Sequence, residues 1–114
     1  ATEAQERAAA DAAAREEAEK QRRNPARIWV QVATGADVGA LGFDCRRLSR
    51  QYAASFEGQS CASAEWNRTR RLLVGPFRSA AAARDWYAAY HRAGGNGFVW
   101  NSDAGEVVTP IGRR

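Results

Sequence analysis

The sequence predicts an α+β fold of the split β-α-β kind: a four-stranded antiparallel sheet with two helices on one face, preceded by a helical or disordered N-terminal linker. Three observations carry that expectation. After residue 26 the chain runs twice through strand, helix and strand. Its apolar residues alternate in the strands and recur every three to four residues in the helices. Glycine and proline mark the element boundaries. A chain of 114 residues has material for one domain and not for two.

Residues 1–23 contain neither glycine nor proline, and no large apolar side chain. Their Ala/Glu/Arg/Gln composition favours helix, and Glu3–Arg7 and Glu16–Lys20 have the i,i+4 order that supports one. With no apolar stripe beyond alanine, such a helix cannot anchor a core. Residues 1–26 are therefore expected to be a linker or solvated helix, and residues 27–114 the domain. Asn24-Pro25 ends the tract, because the residue before proline is pushed out of the α region.

The first half opens with a strand over Ile28–Ala33, where Ile28, Val30 and Val32 point one way and Trp29, Gln31 and Ala33 the other. A glycine-containing turn leads to a helix from about Val38 to Ala54, whose Leu41, Cys45, Leu48 and Tyr52 share one face. An extended segment follows near Phe56–Ala62. The second half reads as a strand over Arg71–Gly75, a Gly75-Pro76 turn and a helix over Ser79–Ala93. Ser79 is placed as N-cap, Ala83, Tyr87 and Tyr90 on the buried stripe, and Gly94 just past the end. Gly94-Gly95-Asn96-Gly97 breaks the chain before a strand over Phe98–Asn101. Asp103-Ala104-Gly105 is a turn into Glu106–Ile111, a candidate fifth strand whose Pro110 suits an edge.

The charge is uneven. Residues 1–23 hold five Lys/Arg against six acids, whereas the rest holds twelve arginines against seven acids. Arginine presents a rigid fork of donors and stacks on flat surfaces, which suits polyanions, sugars and carboxylates alike. No apolar run approaches the ~20 residues that cross a bilayer, and residues 1–23 lack the apolar h-region of a signal peptide.

No catalytic constellation is visible. His91, the single histidine, lies near a helix end with no carboxylate or cysteine at reactive spacing. Ser79 is in a cap context and not a nucleophile elbow. The Gly94–Gly97 run is a helix stop without the Lys-Ser/Thr of a phosphate loop. Cys45 and Cys61 have no metal-ligand spacing. They can form a disulfide if their Cα atoms lie within ~7 Å; two reduced, buried thiols are the alternative.

Three segments carry a family resemblance. Trp29-Val30-Gln31-Val32-Ala33-Thr34 resembles the opening strand of SPOR (sporulation-related) domains, an aromatic followed by Val-Gln-Val and two small residues. Arg71-Leu72-Leu73-Val74-Gly75-Pro76-Phe77 resembles their third strand, which closes on Val-Gly-Pro-Phe. The Ala-rich helix ending at Ala93-Gly94, followed by Phe98-Val99, is similar to the end of the family pattern. The resemblance covers residues 27–101; Ala53–Arg70 departs from it and Ser102–Ile111 lies outside it.

The resemblance implies a ferredoxin/RNP-like fold and a non-catalytic, cofactor-free module. Its ligand would be denuded peptidoglycan, the glycan strands from which stem peptides have been removed. The site would lie on the sheet face that the helices leave uncovered. It further implies a periplasmic or cell-envelope location and the targeting of a parent protein to cell-wall or division sites. Residue by residue, the family's binding glutamine falls on Gln31, its small polar residue on Thr34 and its third-strand arginine on Arg71. The aromatic that usually precedes that arginine is replaced by Arg70, and the nearest aromatic is Trp66.

Sugar recognition needs rings to cover flat CH patches and planar polar side chains to take hydrogen bonds. Alternation puts Trp29 with Gln31, and Arg71 with Leu73, on the face away from the helices. The expected glycan platform is therefore Gln31, Arg71, Trp29, Thr34, Trp66 and Leu73; Trp86 and Trp100 are not assigned to it. RNA-recognition domains share the strand–helix order and use the same open face, and Arg46-Arg47 and Arg70-Arg71 would serve that reading. The third strand lacks the alternating aromatics of such domains, so nucleic acid is not the expected partner. A protein-interaction module is the other alternative. Membrane contact is not expected, and a monomer is.

Overall fold

The computed structural model describes residues 2–112. Helix α1 (Glu3–Arg23) starts at Thr2, whose side chain accepts a hydrogen bond from Gln5 N while the Gln5 side chain accepts one from Thr2 N. This reciprocal cap satisfies two of the donors that a helix start leaves open. No residue of α1 is buried, as its lack of large apolar side chains requires.

Beyond it come β1 (Arg27–Gly35), α2 (Val38–Gln51), the short α3 (Ala53–Phe56), β2 (Cys61–Trp66), β3 (Thr69–Phe77), α4 (Ala80–Arg92), β4 (Phe98–Ser102) and β5 (Thr109–Ile111). The fold is α+β. Its five strands form one sheet in the order β4-β1-β3-β2-β5, with every neighbouring pair antiparallel. Beyond the four strands expected, the candidate fifth forms at the edge but is shorter than Glu106–Ile111: only Thr109–Ile111 pairs with Ser63–Cys61. Pro110 lies on that edge strand, where a missing N–H removes no ladder bond from the interior.

The helix expected from about Val38 to Ala54, α2, also differs from expectation. It caps at Tyr52, and α3 then carries Phe56 into the core. Phe56 is helical and buried, not extended, and meets Trp86 and Tyr90 edge-on at 5.7 and 5.8 Å. The extended segment begins only at Cys61.

Leu41, Cys45 and Leu48 of α2 and Tyr90 of α4 pack with Phe56 on Leu72 and Val74 of β3. Helices α2 and α4 therefore cover the same side of the sheet. Cys45 and Cys61 are joined by a disulfide, with Cα atoms 6.4 Å apart, which ties α2 to β2. Burial pushes the Tyr90 phenol up to about 12, with the neighbouring Tyr52 adding to the effect.

The glycines between α4 and β4 are needed for close approach. A Cβ at Gly95 would overlap the Tyr90 ring, and one at Gly97 would overlap the backbone oxygen of Gln31. With neither present, the chain turns tightly over the core and brings Phe98 opposite Gln31 at the start of the β1–β4 ladder.

Strands β4 and β5 lie at opposite edges, so residues 103–108 must cross the whole sheet. Four inter-strand steps amount to ~19 Å, and six extended residues reach ~20 Å. The connection crosses the face away from the helices, where Val108 is buried against Trp29, Ala62, Ala64 and Leu73. Asp103–Glu106 forms the expected turn: Glu106 N donates to Asp103 O, and Asp103 N to the Glu106 carboxylate. Gly105 N donates to Asn24 O at 2.7 Å, fastening the crossing to the end of α1.

Candidate functional site

The crossing divides the helix-free face into a covered part and an open part. Trp29 and Leu73 do occupy that face, as alternation requires, but they are 3% and 0% exposed. Trp29 Nε1 donates to Ser102 Oγ at 3.0 Å, and its ring lies against Val108. Neither residue offers a surface to a ligand. They form a second, smaller core beneath the crossing, which corrects the expectation of a platform open over both. The cause is residues 103–108, whose path depends on the pairing of β5.

The open part is centred on Arg71. Its guanidinium carbon lies 4.5 Å from the centre of the Trp66 ring and 4.7 Å from that of Trp100. Trp66 ends β2 on one side and Trp100 sits in β4 on the other, so the cation is held between two indole faces. Such contacts contribute about 0.5–1 kcal/mol each when exposed and more when water is excluded. Arg71 Nη1 also donates to Gln31 Oε1 at 2.5 Å. Gln31 is 6% exposed and thus acts through Arg71, fixing its orientation, more than by presenting its own amide. Thr34 is exposed and stands directly opposite Arg71 in the β1–β3 ladder, which places it on the same face.

A β-bulge explains this register. Gln31 pairs with Leu73 but Ala33 pairs with Leu72, so β1 has one extra residue between them. Without it, strict alternation would put Thr34 on the helix side. The bulge returns Thr34 to the face of Gln31 and Arg71.

Sequence reasoning missed Trp100 and Phe98. Phe98 is 49% exposed beside Gln31, and Trp66 is 43% exposed. Phe98 and Trp100 alternate with Val99, so apolar residues stand on both phases of the strand and the pattern does not say which phase faces the helices. The pairing of Trp29 with Trp100 decides it. Trp86, also left out of the site, is in the helix-side core, where its Nε1 donates to Ser55 O.

The next arginine is quite differently placed. Arg70 donates through Nε and Nη2 to the buried Ser63 hydroxyl and lies 3.6 Å from the Glu65 carboxylate. It is a structural side chain on the opposite phase of β3. His91 Nδ1 is 3.1 Å from Gly95 O, with its ring stacked on Tyr87. Among the described residues no group of three or more His, Cys, Asp or Glu is arranged to hold a metal ion, and no helix is long and apolar enough to cross a membrane.

The site is thus a shallow patch with two partly exposed indoles, an exposed phenyl ring, a threonine hydroxyl and one rigid cation. It can cover flat apolar faces and donate hydrogen bonds to oxygen acceptors. No family model, curated protein or solved structure matches this chain.

Proposed function

We propose that this chain is a non-catalytic module that binds peptidoglycan glycan strands lacking stem peptides, and so targets a parent envelope protein to cell-wall or division sites. The observation that carries the reading is the clamp of Trp66, Arg71 and Trp100 on the helix-free face, oriented by Gln31 and flanked by Thr34. Rings beside a planar donor are what a sugar's CH patches, hydroxyls and acetamido oxygens require. The resemblance to SPOR domains points to the same face, through Gln31, Thr34 and Arg71. We read the fold as a split β-α-β fold extended by β5, a reading supported by the order β4-β1-β3-β2 and by α2 and α4 sharing one face. The disulfide agrees with an oxidising, periplasmic setting.

Co-sedimentation with insoluble peptidoglycan sacculi, untreated and amidase-treated, tests this. Wild type should bind amidase-treated sacculi better, and most of that binding should persist in high salt. Trp66→Ala combined with Arg71→Ala should abolish it while the melting temperature stays near that of wild type. Failure of wild type to bind either preparation would sink the proposal.

One observation favours a second reading. Phe98 and Trp100 on β4, with Trp66 on β2, put aromatic rings on an open sheet beside an arginine, which is also how single-stranded RNA is stacked. RNA binding would fall steeply with ionic strength through counterion release, so the same salt series separates the two.

A further inference from the structure

Arg71 has more donors than the protein uses. A guanidinium carries five N–H donors and no acceptor. Among the described residues the Arg71 guanidinium makes one hydrogen bond, to Gln31, and no ion pair, and its Nε is buried without any acceptor. Arg70 shows how an arginine is completed when its role is structural: two nitrogens on a buried hydroxyl and a carboxylate close by. Arg71 has neither. The indoles on its two sides stabilise the charge and restrict its motion, but ring faces do not satisfy N–H donors lying near the guanidinium plane. What remains is a rigid, uncompensated positive charge at the centre of the patch, and its natural complement is a planar anion of one charge, a carboxylate.

On the glycan-binding reading, which this inference rests on, the ligand supplies such a group. In intact peptidoglycan the lactyl carbon of each N-acetylmuramic acid is tied up as a neutral amide to the stem peptide. Hydrolysis of that amide adds water across the C–N bond. The amine leaves with the peptide and the lactyl group remains as a carboxylate. We propose that Arg71, clamped by Trp66 and Trp100, is the receptor for this lactyl carboxylate. The preference for denuded strands is then a preference for charge at one position and not only relief from the bulk of the peptide. Gln31 is a positioning residue in this scheme, because it occupies Nη1 and fixes the direction of the remaining donors.

The test varies the ligand, so it does not depend on a mutant folding. A tetrasaccharide of alternating N-acetylglucosamine and N-acetylmuramic acid is prepared with its lactyl groups as free acids and as primary carboxamides of the same shape. Both are titrated into the full chain by calorimetry. The free acid should bind roughly 10- to 100-fold more tightly, the range expected of a charge-assisted hydrogen bond. The difference should shrink only modestly as salt is raised, because a single partly buried ion pair is screened far less than exposed charges, and should vanish in Arg71→Gln. Equal affinity of acid and carboxamide for wild type overturns the carboxylate assignment and leaves glycan binding standing. A preference for the acid that survives in folded Arg71→Gln overturns the role of Arg71. No binding of either oligosaccharide overturns both proposals.

Discussion

Truncating Trp29 separates a core tryptophan from a ligand-binding one. In the structure its indole is 3% exposed, packs under Val108 and donates to Ser102. Burying an indole removes about 150–250 Å² from water, worth ~4–6 kcal/mol at 25 cal/mol per Å². Alanine keeps part of that and the site relaxes, so the expected cost of Trp29→Ala is about 3–5 kcal/mol. That approaches the whole stability of a small domain. Trp29→Phe is the milder companion: it keeps most of the apolar bulk, loses the hydrogen bond to Ser102, and should cost about 1–2 kcal/mol. Trp66→Ala, at a residue 43% exposed, should cost less than ~1 kcal/mol in stability and yet lose sacculus binding. Urea unfolding followed by far-UV circular dichroism measures all three, with co-sedimentation run on whatever remains folded. If Trp29→Ala kept the wild-type midpoint and lost binding, the covered face described above would be wrong, and Trp29 would belong to the ligand.

Two further predictions concern the helix-side core. Reducing the Cys45–Cys61 disulfide, which closes a loop of sequence separation 16, should lower stability by ~3 kcal/mol by the loop-entropy relation; this is read as a drop in the urea midpoint on adding a reductant, and Cys45→Ser with Cys61→Ser should show no further drop. The Tyr90 phenol, raised by burial from 10.0 to about 12, makes the fold sensitive to alkali. Below pH 10 both folded and unfolded chains hold the proton. Between pH 10 and 12 only the folded chain does, so stability falls with rising pH by up to about 3 kcal/mol. Tyr90→Phe should remove that part of the alkaline decline in a pH series of unfolding curves; an identical slope in wild type and variant would show that the phenol does not titrate late.

Much of the fold was legible because its signals are local. The alternation in residues 28–32, the stripe of Leu41, Cys45 and Leu48, the Ser79 cap and the Gly94–Gly97 break each depend on neighbours within a few residues, and each formed close to where it was expected; Ala33, expected on the face of Trp29 and Gln31, instead packs on the helix-side core because of the bulge after Gln31. The cap at Tyr52 and the helical Phe56 were not legible, because a buried aromatic is equally at home in either conformation until its partners, Trp86 and Tyr90, are in place. Arg71, Gln31 and Thr34 were picked out through motifs, and the structure brings them together on one face.

By itself, then, the sequence determined the types of most elements, much of the helix-side core and the phase of Trp29, Gln31, Arg71 and Leu73, since periodicity is a property of the chain alone. Only the tertiary structure decided which of those residues remain accessible. The pairing of β5 with β2 draws residues 103–108 across the sheet and buries Trp29 and Leu73. The pairing of β4 with β1 carries Trp100 to Arg71. Both are contacts between segments far apart in the chain, and a pattern that repeats every two residues says which face a side chain takes but not what lies over it.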